Sequence, residues 1–271
     1  MFAYKELFVK ESLAFYVNKI WILDNYDNNT RDANKTIVPN GFFNIAFISG
    51  QGAVAKFSRE VIRLKQGIHF CGQADSAVSV DILPHTRVNM VQLFPWTASM
   101  FINYNMKLCT NKIIAFRNLN MDFENEAGKI DYCDETSVLN FINDRFYDFL
   151  TDTEHSALIR KSCATIMQNK GSISIRDLSS QLSCSPRHLQ KLFLRYIGLS
   201  PKEYSIIIKL RNAIEGMVFP SSCFDTSLTS LALDNDFYDQ AHFNNTFKTI
   251  VRTPPGKFIP AKCILAFRKK N

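Results

Sequence analysis

The sequence has no pair of cysteines at metal or redox spacing; its seven cysteines are scattered, with no CxxC and no Cys/His cluster. An odd, unpatterned set argues against a disulfide framework or a zinc ribbon, and points to reduced, buried thiols in a cytoplasmic protein. Apolar runs such as Leu13–Val17 and Ile206–Ile208 fall far short of the ~20 residues that span a bilayer. The opening MFAYKELFVKESLAF carries two glutamates before any long apolar run, unlike a secretory signal. Glycine-rich phosphate loops, a GxSxG elbow and low-complexity segments are also missing, which removes the most legible nucleotide-binding and hydrolase readings. Five dispersed histidines give no recognisable Ser/His/Asp arrangement. The expectation is therefore a protein that is not an enzyme, with no cofactor, no metal and no membrane partner.

What is present is ordinary globular material. The 271 residues are 46% hydrophobic and 21% charged, enough for two modest domains with separate cores. The net charge of +7 is unevenly spread. Residues 155–271 hold 17 Lys/Arg against 7 Asp/Glu, whereas residues 1–154 hold 15 against 18. A basic C-terminal part on a mildly acidic remainder suits a polyanionic partner for that part alone.

Up to about Pro95 the pattern favours strands. TIVPNGFFNIAFISGQGAVAKFS alternates β-branched and aromatic runs with Asn-Gly and Gly-Gln-Gly, a hairpin-like pattern. SAVSVDILPHTRVNMVQLFP continues it around a Pro-His turn signal. From Trp96 the reading is helical; over Glu135–Leu150, Val138, Phe141, Ile142, Phe146 and Phe149 lie close to one helical face. From His155 onward it is helices only. The fold class expected is α+β: an N-terminal β-rich sandwich or barrel of cupin-like form with helices, then an all-α domain. The boundary falls at the Asp/Thr cluster, giving residues 1–152 and 153–271.

The C-terminal part repeats itself. SPRHLQKLFLRYIGLSPKEY (185–204) returns as YDQAHFNNTFKTIVRTPPGKF (238–258), with Leu189, Phe193, Tyr196, Ile197, Pro201 and Tyr204 falling on Phe243, Phe247, Ile250, Val251, Pro255 and Phe258 at an offset of 54. Residues 189, 192, 193, 196 and 197 follow the i, i+3, i+4, i+7, i+8 rule of one helical face, with Ser185 as N-cap and Pro186 in the first turn. Upstream, SIRDLSSQLS and SLTSLALDND are related at an offset of 53, so the second turn gains one residue. Short helix, tight turn and polar-faced second helix make a helix-turn-helix shape, whose second helix fits a major groove. Between the copies, SPKEYSIIIKLRNAIEGMVF opens with a capping box and predicts a helix about 30 Å long. That length is close to the ~34 Å between successive major-groove faces.

DLSSQLSCSPRHLQKLF…IGLSP, the long helix with KLRNA, and LA…F…HF…FK…P together resemble the DNA-binding domain of the AraC/XylS family of transcription regulators over residues 155–260. The resemblance implies a cytoplasmic activator whose two recognition helices enter double-stranded DNA. It implies an N-terminal domain that senses a small-molecule effector, forms a homodimer, or both, and activation through RNA polymerase. The chain departs from the family pattern at Asp236 and Arg252, which replace glycines, at Lys209, where Arg is common, and at Asn245, where a basic residue often points at DNA. With Asp234, Asp236 and Asp239 nearby, the second copy is the less basic reader. The alternative is a small-molecule enzyme or ligand-storage domain tethered to DNA by the helix-turn-helix module. Least favoured is a docking module whose basic helices bind an acidic protein.

For base edges the candidates are Arg187, Gln190 and Lys191 in the first copy and Gln240, Asn244 and Asn245 in the second. Arg and Lys match guanine, and Gln and Asn match adenine. Arg195 and Lys248 suit phosphate. His188 and His242 are expected to pack or cap. His69, Cys71 and His85 lack the companions of a metal site. Glu60, Asp75, Asp81 and Arg87 either line a ligand cavity or cap strand ends. Ligand-binding residues are otherwise unassigned.

Overall fold

The computed structural model describes residues 3–58, 60–219 and 227–264. Its strands and helices run in the order β1 (Ala3–Leu7), β2 (Val17–Asn25), β3 (Asp32–Ile37), β4 (Phe43–Gly50), β5 (Ala53–Lys56), β6 (Val61–Leu64), β7 (Gly67–Cys71), β8 (Val78–Ile82), β9 (Thr86–Leu93), α1 (Ala98–Phe101), β10 (Ile113–Ala115), α2 (Met121–Ala127) and α3 (Glu135–Arg145). The C-terminal part adds α4 (Ser156–Gln168), α5 (Ile175–Gln181), α6 (Pro186–Tyr196), α7 (Pro201–Val218), α8 (Leu228–Asp234), α9 (Gln240–Val251) and β11 (Cys263–Ile264).

The strands form two sheets, β1-β2-β9-β4-β7-β10 and β11-β3-β8-β5-β6. Side chains alternate across a strand, and in the larger sheet both faces are covered. On β4, Phe43, Ile45 and Phe47 enter a core against the helices, while Ala46 and Ile48 enter the core between the sheets. The β4 sequence therefore reads as a continuous apolar run. Phe123 on α2 anchors the helical side, with Phe116 at 4.7 Å and Phe141 and Phe149 at 5.4 and 5.2 Å.

The turns expected from Asn40-Gly41, Gly50-Gln51-Gly52 and Pro84-His85 are present, but they do not close hairpins. β3, β5 and β8 lie in one sheet and β4 and β9 in the other, so each of these turns carries the chain across the sandwich. Two further strands interrupt regions read as helical: β10 adds an edge to β7, and β11 pairs in parallel with β3. Both are too short to leave a period in the sequence.

In the C-terminal part every cap expected from the sequence forms. Ser174, Ser185 and Ser227 accept from Asp177 N, His188 N and Ser230 N, and Ser200 with Glu203 completes a capping box. α7 is 18 residues long, about 27 Å. Its first half supplies Tyr204, Ile207 and Ile208 to a core shared with α4, α5 and α6; its second half supplies Leu210, Ala213 and Ile214 to a core with α8 and α9.

The shift from 53 to 54 is also visible. Ser183 (φ 52°) and Asp236 (φ 55°) occupy the same left-handed turn position. One residue, Cys184, separates Ser183 from the N-cap Ser185; two, Phe237 and Tyr238, separate Asp236 from the N-cap Asp239. Gly198 (φ 85°) and Arg252 (φ 65°), 54 apart, follow α6 and α9 in the same conformation. The glycines missing at 236 and 252 thus mark left-handed positions that these residues occupy at a steric cost. Replacing Asp236 by Gly is expected to stabilise the chain by about 0.5–1 kcal/mol, read as a higher urea midpoint with an unchanged m-value.

Candidate nucleic-acid interface

On α6 the apolar stripe Leu189, Leu192 and Phe193 is buried, which turns the opposite face outward. Arg187, Gln190, Lys191 and Arg195 are all exposed on it. Ser185, Arg187, His188, Gln190, Lys191 and Leu194 line one shallow concavity, so the structure brings the three base-edge candidates of the first unit together. The residues of α6 include no acidic side chain. His188 N caps onto Ser185, and its ring meets His155 at 5.9 Å.

The α9 surface is different. Asn245 and Lys248 are exposed. Gln240 is half-buried, its Oε1 accepting from Thr229 Oγ1 at 2.7 Å. Asn244 is half-buried, and its Oδ1 is shut from solvent without a hydrogen-bond partner among the described residues. Asp234, Asp236 and Asp239 stand exposed around the N-terminal end of α9. Lys209 Nζ donates to Asp236 O at 2.9 Å, stitching α7 to the second turn. His242 accepts from Tyr238 N at 3.4 Å and packs 5.6 Å from Phe237, a capping and packing role.

Sequence reasoning missed how the N-terminal part holds both units. Trp96 completes the core around α6, stacking on Phe94 at 4.7 Å and 9°, and Val38 enters the core around α9. The VPNGFF segment lies against α7: a Cβ on Gly41 (φ 81°) would come within 2.9 Å of Ile208 Cδ1 and 3.0 Å of Tyr204 Cε2, so a larger residue there would be strained in its backbone and would press on α7. Arg211, bonded to Glu215, lies 5.0 Å over the Phe42 ring. Lys19, fully buried, bonds Glu6 at 2.6 Å; burial lowers its pKa, partly offset by that glutamate.

Two loops grip the C-terminal ends of α6 and α9 at equivalent repeat positions. Thr110 Oγ1 donates to Gly198 O at 2.7 Å. Ala77 N donates to Ile250 O at 2.6 Å, and Arg252 Nη2 to Ser76 Oγ at 2.9 Å. The loops are tied to each other: Asp75 N donates to Asn111 Oδ1 (3.0 Å), Asn111 Nδ2 to Asp75 Oδ2 (2.7 Å), and Ser76 Oγ to Asp75 Oδ1 (2.9 Å). A continuous polar chain, Arg252–Ser76–Asp75–Asn111, thus ends beside Thr110. No periodicity marks these residues; the sequence singled out Arg252, standing in place of glycine, and Asp75, as a candidate for a cavity wall or a strand end.

The same loops border a small cavity between the sheets, of ≈ 80 Å³. Its wall is largely apolar, with Trp21, Phe57, Val80 and Met90, and carries Asn40, Asn44, Gln73 and Lys112 as polar groups. The four charged cavity candidates do not line it. Asp81 pairs with Lys56 and Arg31, Arg87 grips Asp24, Asp75 holds Asn111, and Glu60 O receives Phe57 N. His69, Cys71 and His85 lie on β7 and at the β8–β9 turn, and His69 Nε2 is 2.9 Å from Lys65 O.

Residues 178–260 match a family model described as a helix-turn-helix domain, and residues 6–115 one described as a domain of unknown function. Over 75 residues the chain is 33% identical to YidL of Escherichia coli (strain K12), an uncharacterized HTH-type transcriptional regulator, covering 28% of this chain and 24% of that one. Over 86 residues it is 29% identical to YbfP of Bacillus subtilis (strain 168), another uncharacterized HTH-type transcriptional regulator, covering 32% and 28%. The chain spans about a quarter of the length of these curated relatives. Among solved structures, ToxT from Vibrio cholerae with an unsaturated fatty acid bound is 15% identical, with 87% of this chain and 91% of that chain covered and a TM-score of 0.46.

The polar chain between the loops yields a structural prediction. Asp75→Ala should speed amide hydrogen exchange in residues 109–112 and 250–252, while amides in the α6 and β4 cores keep their protection.

Proposed function

We propose that the whole chain is a sequence-specific DNA-binding regulator of transcription, a reading supported by the match of residues 178–260 to a helix-turn-helix domain. Its two units address successive major-groove segments on one side of a duplex. The observation that carries this reading is the repeat: two capped recognition helices, α6 and α9, fixed on the two halves of one ~27 Å helix. Arg187, Gln190 and Lys191 on α6 and Asn245 on α9 are the base-edge contacts, Gln240 and Asn244 reach a base only by leaving the positions they hold in the free chain, and Arg195 and Lys248 hold phosphates. The first unit supplies most of the affinity, because its exposed face is basic while α9 is ringed by aspartates.

Residues 1–152 form the modulating domain. A small, mainly apolar effector suits the cavity between the sheets. Its wall residues Gln73 and Lys112 belong to the very loops that hold the recognition helices. Binding there changes DNA affinity by whatever difference the effector feels between two arrangements of those loops. A partner copy and RNA polymerase complete the reading, as does location in the cytoplasm with the DNA. The described residues contain no helix long and apolar enough to cross a membrane. The modulating role rather than a catalytic one is assigned to the N-terminal domain.

The test is duplex binding by the full chain, because Trp96 and Val38 are part of the C-terminal cores. The duplex comes from upstream of the protein's own gene and is titrated across a salt series. Selective binding with a steep salt slope is expected; equal affinity for a scrambled duplex sinks the reading. Lys191→Ala is expected to weaken selective binding by roughly tenfold or more, a loss of about 1–3 kcal/mol, and Asn245→Ala by less. Equal losses would overturn the ranking of the two units.

A further inference from the structure

The second turn carries one residue more than the first. In helix N-termini the residue before the N-cap commonly packs on the fourth helical residue; here these are Tyr238 and Phe243. Phe243 is fully buried, but its partner is Phe237, at 5.1 Å. Phe237 is 4% exposed and Tyr238 is 88% exposed, the most exposed of the large apolar and aromatic side chains among the described residues. The first unit has no counterpart, since Cys184 alone fills the equivalent turn and is half-buried. The extra residue thus pushes an aromatic ring with a hydroxyl out of the fold, immediately before the recognition helix.

Position and chemistry say what that ring meets. The first residues of a recognition helix face base edges, so the residue before its N-cap stands at the groove rim, where the sugar-phosphate backbone runs. The backbone at Tyr238 is pinned by its N–H on His242 Nδ1 and by the Asp239 cap on His242 N, so the side chain keeps little freedom beyond two rotors. The neighbouring Asp236 and Asp239 are exposed, so the surface beside Tyr238 is acidic and not basic. A neutral phenol can donate its O–H to a phosphate oxygen there, as tyrosines do in protein–DNA contacts.

Resting on the DNA-binding reading above, we propose that Tyr238 is a backbone-phosphate contact of the second unit, one that positions α9 in the groove without reading sequence. A neutral donor releases no counterion of its own. Removing its hydroxyl therefore lowers affinity but leaves the salt slope unchanged.

The experiment compares the full chain with Tyr238→Phe and Tyr238→Ala on the upstream duplex and on an unrelated duplex of equal length, across a salt series. It adds upstream duplexes in which single phosphates near the α9 half-site are replaced by neutral methylphosphonates. Tyr238→Phe is expected to weaken binding roughly three- to tenfold on both duplexes. The salt slope should match wild type, and the loss should shrink on the one duplex whose contacted phosphate is neutral, where the remaining phosphoryl oxygen accepts without charge assistance. Both substitutions are at an exposed site, and unchanged thermal unfolding checks the fold. Wild-type affinity in Tyr238→Phe overturns the assignment while leaving the DNA reading intact. A loss confined to the upstream duplex makes Tyr238 a base reader and also overturns it. Failure of wild type to bind either duplex brings down the DNA reading and the assignment with it.

Discussion

One helix closes two hydrophobic cores. α7 gives Tyr204, Ile207 and Ile208 to the unit before it and Leu210, Ala213 and Ile214 to the unit after it. Ile208 and Leu210 are two residues apart, so the cores are joined through a rigid rod and not through a linker. The distance and rotation between α6 and α9 are therefore properties of helix geometry, fixed wherever Ser200 and Glu203 start the rod. The N-terminal domain then adds its own members to both cores, Trp96 to one and Val38 to the other. Stability of each unit is in this way shared with a domain that the sequence alone presents as separate.

The C-terminal half was far more legible than the N-terminal half, for physical reasons. Helix signals are local: a serine N-cap, a proline in the first turn, a 3.6-residue apolar stripe and an offset between copies all lie within a few residues of one another. Even the one-residue change of offset translated directly into the extra turn residue before Asp239. Sheet membership is not local. Asn40-Gly41 and Pro84-His85 were legible as turns, but whether a turn closes a hairpin or crosses a sandwich depends on which distant strand offers an open edge. β10 and β11 were invisible because two or three residues carry no period.

The candidate interface divides along the same line. The exposed faces of α6 and α9 followed from periodicity, so Arg187, Gln190, Lys191, Asn245 and Lys248 stand where the pattern puts them. What periodicity could not show is how side chains are used once exposed or half-exposed: Gln240 tied to Thr229, Asn244 turned inward. The loop residues Ser76, Asp75, Thr110 and Asn111 are single polar positions in turns, indistinguishable in sequence from solvated ones. Their role exists only because the fold brings residues 73–77 and 109–112 side by side.

The parallel pairing of Cys263–Ile264 with Thr36–Ile37 joins strands from opposite ends of the described chain. Domains generally form as units from the N-terminus during synthesis, and long-range parallel pairing is slow. Without β11, β3 is the outermost strand of its sheet. The edge it shares with β11 is then an open template for any other extended segment. Docking of β11 covers that edge, so the same short strand that ties the C-terminal end to the sandwich also removes a site for pairing with a neighbour.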